Sequence, residues 1–136
     1  MGIDVRIETE RGECVSELGD PRNLVNWLFS MEILDSTVCL RFIDPYGDTV
    51  FNGLQIPVLR NELSMLASRL TEPNLQEIKR AYLGRAKTWP SAALQESRKA
   101  MEALSLGELR HHVEKLLHLV SDASAKTHHY VRFIGD

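Results

Sequence analysis

The sequence predicts an α+β domain in which helices pack on one face of a mostly antiparallel, four-stranded sheet. Strand-like alternation of apolar and polar residues occurs at both ends of the chain, over 3–8 and 129–134. A turn signal at 44–47 joins two further strand-like runs, and apolar stripes with helical spacing fill most of the rest. The expected order is strand, helix, strand, strand, two helices, a less regular helix over 92–103, a last helix and a strand.

The first part of the chain contains a half-buried strand and a short helix. Ile3, Val5 and Ile7 alternate with charged residues, as in a strand with one face in water. Asp20-Pro21 is typical of a helix start, because Asp accepts free backbone N–H groups and Pro suits the first helical position. The apolar stripe of this helix comprises Leu24, Trp27, Leu28 and Met31.

Residues 37–52 predict a β-hairpin. Val38, Leu40 and Phe42 alternate with Cys39 and Arg41 in the two-residue period of a strand. The tetrapeptide at 44–47 has Asp, Pro and Gly where a type I turn prefers them, and the glycine suits a left-handed conformation. A second strand then follows up to Asn52-Gly53.

The region from Pro57 to Val120 predicts four helices. The first carries leucines at 59, 63, 66 and 70, and Glu72-Pro73-Asn74 ends it. The second runs from Leu75 until Gly84, and the third over 92–103 has high helix propensity but a weak apolar stripe. Ser105 and Glu108 form a capping box for the fourth helix, and the chain closes with a strand.

Length and composition favour one soluble domain over residues 1–136. The chain is 43% hydrophobic and 26% charged, which are ordinary globular values. No apolar run approaches the roughly 18 residues of a membrane helix, and the first residues lack the features of a secretory signal. Cys14 and Cys39 show no metal spacing, so reduced thiols and a cytoplasmic location are expected.

Charge is distributed unevenly. Residues 1–50 contain ten acidic residues and four arginines, whereas 74–100 contain six basic and two acidic residues. The acidic half favours a cationic protein partner and disfavours nucleic acid as the main ligand. The basic stretch interleaves Tyr82 and Trp89 with cations, as in single-strand binders, but Tyr82 shares a helical face with Ile78, so core packing explains it better.

No motif indicates a reaction, a cofactor or a metal. His111, Glu114 and His118 share a helix face, but histidines seven residues apart are separated by about 10 Å along the axis, too far to share one ion easily. Asp44 and Asp48 would suit an acid pair or a cation site, yet Asp44 is also the preferred first residue of a turn. We therefore expect neither a cofactor nor a metal.

The hairpin from Phe42 to Asn52 and the closing segment 129–136, together with the opening Met1–Val5, resemble small uncharacterised bacterial α+β proteins of the toxin-immunity type. This resemblance implies a non-enzymatic bacterial protein that inhibits a toxin by binding it. It implies no catalytic residue.

The leading hypothesis is therefore a non-enzymatic, cytoplasmic protein-binding module, in its specific form an immunity-type inhibitor of a basic toxin. Two alternatives stay open: a small hydrolase or metal-dependent enzyme using Asp44, Asp48 and a histidine, and an assembly subunit that docks through residues 91–104. The oligomeric state is left open. The expected partner-binding residues are Asp44, Tyr46 and Asp48 at the hairpin tip, Glu10 and Glu13 in an acidic turn, and Trp89.

Overall fold

The computed structural model describes residues 2–28 and 32–135, with the backbone alone at positions 32, 33, 85 and 86. It contains four strands, β1 Asp4–Thr9, β2 Cys14–Leu18, β3 Asp48–Phe51 and β4 His129–Ile134. The α-helices are α1 Leu24–Leu28, α2 Ile56–Ser68, α3 Glu72–Ala86, α4 Ser91–Ala103 and α5 Leu106–Ser124. Two short 3-10 helices, Glu32–Ser36 and Leu40–Phe42, lie between α1 and β3.

The four strands form one antiparallel sheet in the order β2-β1-β4-β3. The central pair places Val5 opposite Phe133 and Ile7 opposite Val131, and Phe51 continues this row on β3. All five side chains are buried against the helices, whereas residues between them point to the other face. The α+β class and the four-stranded antiparallel sheet are therefore confirmed.

The other face of the sheet is open and carries paired charges. The Nε of Arg6 donates to Glu17 on the neighbouring strand at 3.1 Å. The Nε of Arg132 donates to both oxygens of Glu8 at 3.1 and 3.0 Å, and its Nη1 donates to Asp48 at 3.0 Å. These cross-strand pairs explain why charged residues alternate with buried ones on β1 and β4.

The longest helix, α5, begins at the predicted capping box. The Oγ of Ser105 accepts from the backbone N–H of Glu108, whose carboxylate in turn accepts from the N–H of Ser105. Its buried stripe packs against α2 and against three strands of the sheet. Those buried residues are Leu109, His112, Val113, Leu116, Val120 and Ala123.

The strand predicted over 37–43 is wrong. The Oγ1 of Thr37 accepts from the N–H of Arg41 at 3.0 Å and donates to the carbonyl of Leu34 at 2.6 Å, so it caps a helical turn. The carboxylate of Glu62 on α2 accepts from three successive N–H groups, at 38–40. Because these groups are occupied, the alternating residues cannot form a strand ladder, and a 3-10 helix forms instead.

The sheet reaches four strands through β2, which the sequence did not indicate. Its residues Cys14 and Val15 are exposed, and none of its five residues is buried. An edge strand pairs along one side only, and this one buries no side chain fully. Its sequence therefore shows little alternation of apolar and polar residues. Cys14, expected in a turn-rich region, lies on this strand and is exposed.

The remaining helices differ from prediction mainly at their ends. Pro21 was predicted as the first helical residue, but α1 begins at Leu24. Asp20 still accepts from backbone N–H groups of this helix, those of Leu24 and Val25. Predicted stripe residue Met31 lies outside the described residues. Helix α3 begins at Glu72 with Thr71 as its cap, because Pro73 is tolerated in a first turn, and it continues past Gly84. The less regular helix over 92–103 is confirmed as α4.

Candidate functional site

The segment 37–48, here called the 37–48 loop, is hydrogen-bonded at its beginning to the buried carboxylate of Glu62. The side chain of Glu62 is only 8% exposed and accepts from the N–H groups of Val38 at 2.6 Å and Leu40 at 3.0 Å. Cys39 donates to both Glu62 oxygens at 3.1 Å. Hydrogen bonds to an ionised acceptor are stronger than neutral ones, so this contact fixes the first part of the loop.

The turn at the end of the loop is fixed by separate contacts. The Oδ1 of Asp44 accepts from the N–H of Tyr46 at 2.8 Å, as the predicted turn requires. The N–H of Asp44 donates to Thr49 Oγ1 at 2.9 Å, and Gly135 donates to the carbonyl of Gly47 at 2.9 Å. Both ends of the turn are therefore hydrogen-bonded, the first end to Thr49 on β3 and the last to Gly135, which follows β4.

Gly47 serves a different purpose from the one predicted. Among the described glycines only Gly12 has a positive φ, so Gly47 is not left-handed. A Cβ built on Gly47 would lie 3.0 Å from the Oδ2 of Asp44, which is closer than ordinary contact. The glycine therefore allows the Asp44 carboxylate to fold back over the turn.

This fixed loop exposes three large apolar side chains. Val38 is 59% exposed, Phe42 is 62% exposed and Tyr46 is 79% exposed. The guanidinium of Arg41 lies 4.7 Å from the ring centroid of Phe42, which is cation–π geometry. Exposed aromatic residues with an arginine are typical of the centres of protein interfaces.

Asp48 is exposed, but its carboxylate is already paired. It accepts from Arg132, which also binds Glu8 across the open face. The hydrogen bond to Glu8 is the main cause that raises the pKa of Arg132. Burial lowers this pKa by less, and the hydrogen bond to Asp48 raises it by a still smaller amount. Asp48 and Glu8 therefore share one guanidinium, whereas Asp44 adds an exposed acidic group to the loop.

The structure separates the six predicted contact residues into three places. Glu10 and Glu13 lie at the turn between β1 and β2, level with the first residues of β4, where Glu10 pairs with His128. Asp48 pairs with the last residue of β4, so the two ends lie about 17 Å apart at 3.3 Å per residue. The acidic turn and the 37–48 loop are thus separate surfaces.

Trp89 forms the third place, between α3 and α4. Its ring is 41% exposed and packs edge-on against Tyr82, with centroids 5.6 Å apart. Tyr82 also packs on the buried Trp27 with a centroid distance of 4.4 Å. Trp89 is therefore partly exposed and also belongs to an aromatic cluster that connects α3 to α1.

A groove that the sequence did not reveal lies between β2 and α5. It has a volume of about 490 Å³. The β2 side consists of Ser16, Glu17 and Leu18, and the α5 side of His111, Glu114, Lys115, His118, Leu119 and Asp122. The shared helix face of His111, Glu114 and His118 was a signal for this groove, but without β2 its other wall could not be inferred.

The groove contains two histidines, His111 and His118. Among the described residues, no group of three or more His, Cys, Asp or Glu side chains is placed to hold a metal ion. His118 instead lies 3.8 Å from the carboxylate of Asp122, one turn further along α5.

One histidine on α5 is buried. Within the described part of the chain, the Nε2 of His112 has no hydrogen-bond partner. Desolvation lowers the pKa of His112, and the nearby Asp20 carboxylate opposes this only in part. His112 is therefore a neutral core residue that protonation would disturb.

Comparison with known proteins adds no functional residue. In the parts of the chain that the structure describes, every helix is too short or too polar to span a bilayer. No family model, no curated protein and no solved structure matches this chain.

Proposed function

We propose that this chain is a non-enzymatic protein-binding module whose main contact surface is the 37–48 loop. The observation that carries the proposal is the exposure of Val38, Phe42 and Tyr46 on a backbone that buried and neighbouring groups already fix. A pre-ordered loop loses little conformational entropy on binding, so more of its contact energy appears as affinity.

The proposed partner is a basic protein, and an immunity-type inhibitor of a basic toxin is the specific form of the proposal. Asp44 on the loop is exposed and acidic, and residues 1–50 carry an excess of six negative charges. The negative electrostatic potential of these charges accelerates association with a cationic surface. The contact set proposed now comprises Asp44, Tyr46 and Asp48, with Val38 and Phe42 added.

We also propose a bacterial, cytoplasmic setting. Cys14 and Cys39 are both free, and Cys39 is buried. Burial raises the pKa of the Cys39 thiol, with a smaller contribution from the Glu62 carboxylate. A fold that keeps two cysteines apart in this way is consistent with a reducing compartment.

The enzyme alternative draws no support from the arrangement of its residues. Asp44 is engaged by the N–H of Tyr46 and Asp48 by Arg132. His111 and His118 lie beside β2, at the opposite edge of the sheet from β3. The assembly alternative stays a prediction, with α4 as its docking helix.

The test is site-specific photo-crosslinking in the source cells, with a photoreactive phenylalanine analogue at position 42 or 46. We expect both positions to capture one common protein, and Leu54 provides a matched control because it is apolar and 89% exposed outside the loop. With that protein purified, Phe42→Ala and Tyr46→Ala should each weaken binding at least tenfold. Equal capture from position 54, or unchanged affinity in both variants, would contradict the proposal.

A further inference from the structure

We infer that the groove between β2 and α5 is a second binding site, which takes an extended, basic peptide segment by strand addition to β2. The site lies at the opposite edge of the sheet from the 37–48 loop, so the inference does not depend on the proposed function.

The first observation is the free edge of β2. Within the described residues, β2 pairs only with β1. A register shift leaves Val15 as an extra residue between Cys14 and Ser16, so the regular row of outward N–H and C=O groups lies within residues 16–18. Val15, at the register shift that precedes this row, is 45% exposed. An extended peptide is the ligand that can satisfy a row of main-chain donors and acceptors at strand spacing.

The second observation is the helix wall beside that edge. Helix α5 extends over β2 and leaves a groove of about 490 Å³, a volume within the range of ligand sites. Leu18 and Leu119 are partly buried against the core and provide apolar surface in the groove. An added strand would direct every second side chain toward this surface, which gives the site a means of selecting residues.

The third observation is charge. Glu114 and Asp122 line the groove with Lys115 as the one formal cation among its lining residues, and Glu13 directly precedes β2. The Glu17 carboxylate pairs with Arg6 on the other face of the sheet, so Glu114 and Asp122 on α5 are the acidic groups that face the groove. Lysine or arginine side chains on an added strand would meet these carboxylates, whereas an acidic peptide would be repelled.

The experiment measures fluorescence anisotropy with a labelled octapeptide of alternating lysine and valine, and with its glutamate–valine counterpart. We expect saturable binding of the lysine peptide alone, weakened by salt. The double variant Glu114→Lys, Asp122→Lys should bind it roughly tenfold more weakly, since two attractive pairs become repulsive. The charge-matched control Glu77→Lys, Glu102→Lys changes exposed residues on α3 and α4 and should bind like the unchanged protein.

Hydrogen exchange then locates the peptide. Slower amide exchange within 14–18, with no change within 48–51 at the other edge, would support strand addition to β2. Absence of binding, equal binding of both peptides, or an equal loss in both double variants would overturn the inference. A peptide-free dimer, seen by sedimentation and protected at 14–18, would also overturn it by assigning this edge to a second copy.

Discussion

Three buried polar residues, Asp20, Thr37 and Glu62, determine local structure that the pattern of apolar residues alone does not predict. Thr37 and Glu62 occupy the N–H groups of 38–41, and Asp20 occupies those of 24 and 25. The sequence at 38–42 alternates as a strand does, and Glu62 lies more than twenty residues away. The conformation of the loop was therefore unpredictable from its own residues, whereas Asp20 was recognisable because it caps its neighbours.

Replacing Glu62 with Gln should destabilise the fold. An amide presents one neutral acceptor instead of two charged oxygens, so at least one buried N–H loses its partner, at a cost of about 1–3 kcal/mol. Urea unfolding should show this loss as a lower midpoint with an unchanged slope. Glu77→Gln, at an exposed position on α3, is the matched control and should change stability little.

The two thiols should differ in reactivity. Cys14 is exposed, whereas Cys39 is buried with a raised pKa. We expect a colorimetric thiol reagent at neutral pH to modify Cys14 rapidly and Cys39 only after denaturation. Cys14→Ser should abolish the rapid phase, and a rapid phase that survives this substitution would contradict the burial of Cys39.

His112 should make stability depend on pH in the mildly acidic range. Its pKa is lowered in the folded state, so below about 6.5 the unfolded chain binds the proton more readily. The contribution of neutral His112 to the free energy of unfolding is fully present above that pH. It decreases as the pH drops toward the pKa of His112 in the folded state. His112→Leu should flatten this part of the pH profile, whereas His118→Leu at an exposed position should leave it unchanged.

At the scale of elements, the best predictions were those that local chemistry determines. The capping box at Ser105 and the alternating strands β1 and β4 were recognisable because each has a complete local signal. The edge strand β2 was missed because it buries none of its residues fully. The groove was missed with it, since one of its two walls is that strand.

Loss of the α5 cap should cost measurable stability. Ser105→Ala removes the acceptor for the Glu108 N–H, and such cap substitutions cost about 1 kcal/mol. Chemical denaturation is a sufficient measurement. Ser105→Asp retains an acceptor at the cap and should recover most of the loss, and an equal loss in both variants would show that the cap is not the cause.

At the scale of the whole molecule, the α+β class followed from strands at the two ends of the sequence and helices between them. The final order β2-β1-β4-β3 places the last strand in the interior of the sheet, between β1 and β3. The position of β4 depends on pairing between residues far apart in the sequence, and no local sequence pattern indicates such pairing. The same holds for the predicted contact residues, which the fold places in three separate regions.

We expect residues 1–136 to unfold as one cooperative unit. The stack of Trp27, Tyr82 and Trp89 connects α1 to α3, so helices remote in sequence share contacts. In a Trp89→Phe variant, fluorescence reports Trp27 in the core, and its denaturation curve should coincide with that from far-UV circular dichroism. Separate midpoints would show that α3 and α4 unfold independently.

The support that Glu62 gives the 37–48 loop has a consequence for protein engineering. The shape of the loop is imposed by a carboxylate on α2, by Thr37 and by Asp44, while the outward side chains at 38, 42 and 46 contribute little to it. Those three positions can therefore be randomised in a display library while the scaffold stays constant. The fold offers a small platform for selecting new affinities without redesigning its backbone.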